Sequence, residues 1–214
     1  MEINWLGHSS VSVNSRDLIL ITDPYDSSDG TFMAPLKADI VTVSHDDSKH
    51  SNVDSVSGDP RIIDGPGEYE IANFYITGIG TDRNDTENPL KTNTIFVLRT
   101  EGVVLCHLGD LNNPMTAKQI EELNHPDVLF VPVGGVCTLD TERTSDLVNR
   151  ISPKVVVPIH YRMDNTNITI QPLDPFLDAM GVTEEATKNK LNITATNLPR
   201  ELKVEILEDT SQKV

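Results

Sequence analysis

Histidine and aspartate residues follow the apolar, strand-like runs of this sequence at the points where the runs end. Four of the six histidines lie at or just beyond such ends: His45, His50, His107 and His160. Asp110 lies three residues after His107, and Asp47 lies between His45 and His50. Imidazole nitrogens and carboxylate oxygens together are the ligands that a divalent ion such as Zn or Mn takes in proteins. Since sites in layered α/β proteins form beyond the carboxyl ends of strands, this placement predicts a metal site.

These residues have different expected roles at such a site. The loop after Ser44 can point His45 and His50 at one centre, and His107, Asp110 and His160 can complete the set. Asp110 and His160 are also the candidate catalytic residues, because a bound metal ion lowers the pKa of water and polarises an ester, lactone or phosphoester oxygen. His107 is either a further ligand or a residue that donates a hydrogen bond to a ligand carboxylate. Any one of these histidines taken alone is more often structural, and only their joint placement favours a metal site.

Short strands must position these residues. Apolar and β-branched runs predict strands at Glu2–Leu6, Ser10–Asn14, Leu18–Thr22, Asp39–Ser44, Arg61–Ile63, Glu70–Gly78, Asn93–Thr100, Val103–His107, Val128–Val133, Val155–Ile159 and Glu201–Leu207. The turn Glu101-Gly102 predicts that two of these strands form a hairpin. Residues 81–92 form the most loop-like stretch, and Asp23, before Pro24, is expected to be a turn carboxylate near the site.

Helical patterns alternate with the later strands. Thr116–Gln119 fits a capping box that begins a helix running to about Leu123. Asp140–Ile151 has one apolar helical face, and Pro172–Met180 is a short helix that Gly181 can end. Together these segments predict an α+β fold, an αββα sandwich, as a single domain of residues 1–214.

Five short motifs occur in an order that resembles the metallo-β-lactamase superfamily. They are Trp5–Ser10, Thr22–Pro24, Thr42–His45, His107–Asp110 and Pro158–Tyr161. The sequence is similar in particular to the small bacterial and archaeal branch of Zn-dependent hydrolases that is related to ascorbate-phosphate lactonases. The resemblance covers about residues 1–207, and it implies the metallo-β-lactamase-like four-layer fold with a metal site at one edge between the sheets.

The resemblance also implies a set of metal ligands from which this sequence departs. The family motif His-x-His-x-Asp-His falls here on His45, Asp47, Lys49 and His50, so two of the four positions differ. The aspartate of the family's Gly-Asp element matches Asp110, and its last histidine matches His160. The resemblance therefore implies a degenerate site that binds one or two Zn or Mn ions, or none. With this resemblance, His50, Asp110 and His160 are expected to hold the metal, with His45 and Asp47 nearby. His8 and Lys49 are expected to contact the substrate.

The charge and composition of the chain limit its partners. The net charge is -16, from 33 acidic and 17 basic residues, and no Lys/Arg cluster is present, so a nucleic-acid partner is not expected. No apolar stretch approaches the ~20 residues of a membrane span, and no signal peptide is recognisable. We therefore expect a cytoplasmic protein with a small-molecule substrate and no membrane partner. Cys106 and Cys137 are expected to be buried core thiols, and the oligomeric state is not predictable.

Two functions are compatible with this sequence. The first is a metal-dependent hydrolase of the ester, lactone or phosphoester class. The second is a non-catalytic protein of the same fold with weak or no metal binding, in which Lys49 and Arg83 bring positive charge to a cavity that binds a small anion. Nuclease activity is disfavoured by the acidity of the chain. Metal stoichiometry and turnover of esters distinguish the first two functions.

Overall fold

Strands account for most of the regular structure of the protein. The computed structural model describes residues 1–26, 31–83, 92–163, 169–183 and 186–213. The strands are β1 Glu2–Gly7, β2 Ser10–Ser15, β3 Leu18–Thr22, β4 Thr31–Phe32, β5 Leu36–Lys37, β6 Ile40–Thr42, β7 Val56–Ser57, β8 Arg61–Ile63, β9 Gly67–Ile71, β10 Phe74–Asp82, β11 Thr92–Thr100, β12 Val103–His107, β13 Val128–Pro132, β14 Val155–Ile159, β15 Thr187–Lys188, β16 Leu191–Asn192, β17 Lys203–Val204, β18 Ile206–Leu207 and β19 Gln212–Lys213. The helices are α1 Ala117–Glu122, α2 Thr141–Ile151 and α3 Asp174–Ala179, with one 3-10 turn at Val53–Ser55.

The first sheet has six strands in the order β16-β1-β2-β3-β6-β8. Strands β1, β2 and β3 form an antiparallel meander, whereas β3, β6 and β8 are parallel. Because β1 and β3 are each antiparallel to β2, they run in the same direction as β6. The carboxyl ends of β1, β3 and β6 therefore lie at one edge of this sheet.

The second sheet has seven strands in the order β17-β14-β13-β12-β11-β10-β9. Strands β9 to β12 are antiparallel, and β12, β13, β14 and β17 are parallel. The two sheets meet at their carboxyl edges, where the His160 amide donates to the His8 carbonyl (2.9 Å) and the Thr94 amide donates to the Ser44 carbonyl (2.8 Å). The strand ends that carry the predicted site residues are thus brought together.

Both faces of the first sheet are buried, because successive apolar residues of its strands point to opposite faces. Leu20 and Ile40 belong to the large core shared with the second sheet, whereas Ile21 and Val41 belong to a smaller cluster on the opposite face. Neighbouring residues of a strand point to opposite faces, so this division follows from the pleat. The smaller cluster is closed by side chains from loops and short strands, including Tyr25, Met33 and Val56.

Helices α1 and α2 connect strands of the second sheet and begin as predicted, whereas α3 follows β14 and begins at Asp174, two residues after the predicted Pro172. Thr116 forms the capping box with Gln119, and Asp140 caps α2 by accepting a hydrogen bond from the Arg143 amide. The buried residues of α2 are Thr144, Leu147, Val148 and Ile151, which confirms its predicted apolar face. Among the described residues, no helix has the length and apolarity to cross a membrane.

Two predicted strands differ from the observed ones. The run Glu70–Gly78 is not one strand, because a tight turn at Ala72 and Asn73 divides it into β9 and β10. The run Glu201–Leu207 is also divided, into β17 on the second sheet and β18 in a separate two-stranded sheet with β15. The predicted hairpin of β11 and β12 is confirmed. Of the predicted loop, residues 81 and 82 belong to β10, and residues 84–91 lie outside the described residues.

Candidate metal centre

Three residues of the site directly follow strands and have left-handed backbone conformations. His8 follows β1 with φ 50°, Asp23 follows β3 with φ 41°, and His160 follows β14 with φ 52°. Non-glycine residues rarely adopt positive φ, and such residues are concentrated at functional sites. The three conformations turn the chain sharply at the edge where the two sheets meet.

Asp23 and Ser44 hold the histidines of the loop after β6. Asp23 accepts hydrogen bonds from the Ser44 amide (2.7 Å), from Ser44 Oγ (2.6 Å) and from His50 Nδ1 (3.1 Å). Because Ser44 Oγ donates its one proton to Asp23, it accepts from His45 Nδ1 (2.9 Å). Both histidines are therefore fixed through Nδ1, with Nε2 left for a ligand. Metal-binding histidines in proteins are generally held in this way.

The Asp110 carboxylate lies at the centre of the imidazoles. Its Oδ2 is 3.3 Å from His50 Nε2 and 3.9 Å from His45 Nε2, and its Oδ1 is 3.6 Å from His160 Nε2. Asp110 is 3% exposed, and Oδ1 has no hydrogen-bond partner among the described residues. In the tautomers that Asp23 and Ser44 impose, imidazole lone pairs and carboxylate oxygens converge on one another. This arrangement is favourable only with a proton or a cation between them.

The turn before Asp110 is built around Gly109 and the buried side chain of Asn93. Asn93 Oδ1 accepts from the Asp110 amide (2.9 Å), and its Nδ2 donates to the Leu108 carbonyl (3.0 Å). Gly109 has φ 58°, and a Cβ at this position would collide with Asn93 Oδ1 and with Ser44. Strand β11 thus positions the central carboxylate through an asparagine that the sequence pattern did not single out.

The charges of the site favour the ionised form of Asp110. Burial acts to raise the pKa of Asp110, but His50 and His160 outweigh it and hold that pKa well below its usual range. Burial, and then the charge of His50, lower the pKa of His45 to about 4. Burial also lowers the pKa of His160. For His50, burial is outweighed by Asp110 and Asp23, which raise its pKa to about 10.

Five of the predicted site residues come together, and two others lie at the rim. His8, His50 and His160 form one group whose ligand atoms lie within 4.8 Å of one another, and His45, His50 and Asp110 form a second. Asp47 and Lys49 line the same cavity of about 440 Å³. Asp47 is exposed and accepts a hydrogen bond from the Lys49 amide (3.0 Å), and it belongs to none of the ligand groups found among the described residues.

His107 does not reach the cluster, so its predicted role as a ligand needs correction. Its Nε2 donates to the Ser9 carbonyl (2.8 Å), and its Nδ1 accepts from the Gly109 amide (3.3 Å). Both ring nitrogens are occupied by the backbone, and neither donates to a carboxylate. His107 therefore ties the loop that carries His8 to the turn that carries Asp110.

Two further side chains, those of Cys137 and Arg83, lie at the site. The sequence predicted that Cys137 lies in the core, and it indicated Arg83 only as part of an anion-binding cavity. Cys137, expected in the core, lines the cavity, and its Sγ lies within 4.8 Å of ligand atoms of Asp110 and His160. Both cysteines are free thiols, and burial raises the pKa of Cys137 to about 12. Arg83 Nη2 lies 3.9 Å from Asp110 Oδ2. For Cys137, the nearby Gly134-Gly135 turn after β13 was the only available signal.

The donor set of this cluster fits a divalent metal ion. Imidazole nitrogens and a buried carboxylate are ligands that zinc takes, and Cys137 could join them only after losing its proton. Asp110 Oδ1, which has no hydrogen-bond partner among the described residues, is an acceptor that such an ion satisfies. A larger depression of about 1230 Å³ lies around the turns after β2 and β11, at the opposite edge of the sheets. None of the ligand groups found among the described residues lines it.

Comparisons with known proteins agree with this fold. The family model described as "Beta-lactamase superfamily domain" matches residues 2–160. A structure from Thermotoga maritima, of the metallo-β-lactamase superfamily, is 31% identical, with a TM-score of 0.80 and coverage of 98% of this chain and 99% of that one. The chain therefore belongs to the metallo-β-lactamase superfamily, and the predicted metallo-β-lactamase fold is confirmed.

Curated relatives narrow the comparison to one group of that superfamily. A Methanoregula boonei protein named UPF0173 metal-dependent hydrolase is 29% identical over 185 residues, covering 75% of this chain and 82% of the relative. A Bacillus subtilis protein of the same family name is 25% identical over 194 residues, covering 75% and 86%. Names of this kind give a general type of reaction and no substrate.

Proposed function

We propose that this protein is a hydrolase that uses one divalent metal ion, Zn or Mn, to cleave an ester, lactone or phosphoester in a small molecule. The observation that carries the proposal is the convergence of three imidazoles on the buried Asp110 carboxylate, whose Oδ1 has no hydrogen-bond partner among the described residues. The names of the curated relatives support the type of reaction.

Each residue of the centre has a defined task in this proposal. His50, Asp110 and His160 hold the metal, and Asp110 also orients the attacking water. A divalent metal ion in such a site lowers the pKa of water and polarises the bond to be cleaved. Asp23 keeps His50 in the tautomer that leaves Nε2 free. His8, whose ring centroid is 4.3 Å from that of His160, lines the cavity that receives the substrate.

The position of Arg83 favours one ion over two. A second ion would need ligands of its own besides Asp110. Here the guanidinium lies on the Oδ2 side of Asp110, which is also the side of His45 and His50. Arg83 would repel any cation on this side, and a second ion would have only His45 and the exposed Asp47 as further ligands there. The degenerate motif is thus interpreted as the loss of one of two metal positions.

Metal content tests the proposal. Plasma mass spectrometry on protein purified without added metal, and again after reconstitution with Zn or Mn, is expected to find about one equivalent. D110N and H160A should lose this metal, together with about 100-fold or more of the activity on a panel of esters and lactones. The matched controls are D178N and H125A, because both residues are exposed and lie outside the site. Metal retained by D110N and H160A would refute the ligand assignment.

The second candidate is a non-catalytic anion-binding protein, and one observation favours it. Arg83 already places a positive charge 3.9 Å from Asp110 Oδ2, so a metal ion must bind beside a cation. Folded protein that takes up neither Zn nor Mn, and that hydrolyses nothing in the panel, would exclude the first function, and anion binding by that protein would establish the second.

A further inference from the structure

The side chain of Arg83 enters the site, and two of its nitrogen atoms have no hydrogen-bond partner among the described residues. Arg83 directly follows β10, and its side chain is 11% exposed. Its Nη2 approaches Asp110 Oδ2 only to 3.9 Å, which is an ion pair and too long for a hydrogen bond. Its Nε and Nη1 are buried, and neither has a hydrogen-bond partner among the described residues. A buried guanidinium with unused donors is unfavourable unless an acceptor is bound there.

Positive charge is concentrated in this cavity although the whole chain is strongly acidic. Arg83 and Lys49 both line the cavity, in a protein of net charge -16. Of the two carboxylates that line the cavity, Asp110 is engaged with the imidazoles and Asp47 is exposed.

We propose that Arg83 binds an oxyanion group of the substrate, a carboxylate or a phosphate, with Lys49 as a second positive charge. The planar guanidinium matches the geometry of both groups. A cavity of about 440 Å³ holds a small molecule. The substrate is then a small ester or lactone that carries a negatively charged group besides the bond to be cleaved. As a statement about a substrate, this inference rests on the hydrolase function proposed above.

Binding of two simple anions tests the assignment without turnover. Inorganic phosphate and glutarate are titrated calorimetrically into protein loaded with one equivalent of Zn, with zinc content checked before and after. Binding of at least one anion is expected, and R83M should weaken it about 10-fold or more. R200M is the control, because Arg200 is exposed and outside the cavity. The anion that binds more tightly identifies the group recognised. Equal binding by wild type and R83M, or binding of neither anion, would overturn the inference.

A pair of esters separates this inference from the proposed function. The mono-4-nitrophenyl ester of glutaric acid carries a free carboxylate. The methyl 4-nitrophenyl diester has the same bond to be cleaved but no free carboxylate. We expect wild-type kcat/KM to be about 10-fold or more higher for the charged ester, and R83M to abolish that preference. Hydrolysis of both esters without preference would support the proposed hydrolase function and overturn the role of Arg83. Anion binding that depends on Arg83, without hydrolysis of either ester, would support the anion site and count against the hydrolase.

Discussion

Hydrogen bonds to Ser44 and Asp23 determine how His45 and His50 face Asp110. Because Ser44 Oγ donates its proton to Asp23, His45 must carry its own proton on Nδ1, and Asp23 places a proton of His50 on Nδ1 as well. The Nε2 atoms of both residues then face Asp110, and a metal ion would have to displace the Nε2 proton that Asp110 stabilises on His50 at neutral pH. The capacity of the site to bind a cation therefore depends on a carboxylate that does not itself face the cavity.

Replacement of Asp23 by asparagine tests this dependence. If the oxygen of the new side-chain amide accepts from the Ser44 backbone amide, the NH2 group faces His50 Nδ1 and forces the proton to Nε2, where it blocks metal binding. We expect D23N to lower zinc affinity about 10- to 100-fold. Competition with a chromophoric chelator measures the affinity, and 15N chemical shifts report the tautomer of His50.

The control for this variant is D178N, which removes a carboxylate from an exposed position. A D23N protein that is folded and keeps wild-type zinc affinity with His50 protonated on Nδ1 would contradict the positioning role. Loss of affinity with an unchanged tautomer would also contradict it.

Strand-end positions predicted which histidines meet but not what their nitrogens do. His45, His50 and His160 lie around Asp110 as expected, and their role as ligands stays a prediction. His107 has the same kind of strand-end position, yet backbone groups occupy both of its nitrogens. Asp23 was expected to be a turn carboxylate near the site. Its contact with His50, from 27 positions along the chain, depends on the parallel pairing of β3 and β6.

The position of Asp110 depends on the turn that follows β12 and contains Gly109. This turn passes between Asn93 of β11 and Ser44 at the end of β6, and it has no room for a side chain at Gly109. Residues from both sheets therefore define the backbone at the centre of the site.

An alanine at position 109 is expected to strain this turn. The positive φ costs an alanine about 1–2 kcal/mol, and the collision with Asn93 and Ser44 adds a further ~1–3 kcal/mol. We expect G109A to lose about 2–5 kcal/mol in the free energy of unfolding, measured by denaturant titration. The control is G181A, which has φ 68° and no atom within 4 Å of the new Cβ, and should show only the backbone cost. Equal losses in the two variants would show that the collision is relieved without cost.

Element boundaries were predictable where local chemistry specifies them. The capping box at Thr116 and the turn at Glu101-Gly102 are local signals, and both are confirmed. The turn at Ala72 and Asn73 was missed because Ala72 adopts φ 50° without the usual glycine, inside a run that reads as one strand. The division of β17 from β18 has no local signal, since it reflects pairing with different partners.

Residues 186–213 join both sheets and lie outside the region that the family model matches. Strand β16 extends the first sheet and β17 extends the second, while β18 pairs with β15. Glu205, between β17 and β18, is bound by Lys188 (2.6 Å) and Lys203 (2.9 Å). The mostly buried Glu205 carboxylate thus connects the two-stranded sheet to the edge of the second sheet.

The pH dependence of stability tests this connection. Burial acts to raise the pKa of Glu205, but hydrogen bonds from Lys188 and Lys203 lower it below the ordinary value of 4.5. A lowered pKa in the folded state stabilises the protein above the unfolded-state pKa, and this contribution is lost as the pH falls through the folded-state pKa. E205Q should therefore be less stable than wild type by about 1 kcal/mol at pH 7, with the difference disappearing on acidification.

Denaturant titrations from neutral pH to below 4.5 measure this difference, with E201Q at an exposed position as the control. A difference that stays constant over this range would show that the E205Q effect does not come from the charge of Glu205.

The pairing of Glu2 with Asn192 stabilises the folded first sheet, and it also affects when that sheet can fold during synthesis. The Trp5 carbonyl likewise accepts from the Thr210 amide and hydroxyl, so β1 makes contacts that exist only after nearly the whole described sequence has been synthesised. A ribosome adds about 5–20 residues per second. For about ten seconds or more, therefore, the apolar residues of β1 and β2 are on a nascent chain that lacks the last segments they contact in the folded protein. Folding of the first sheet is then limited by completion of translation, and a chaperone that shields those strands is expected to raise the yield of soluble protein.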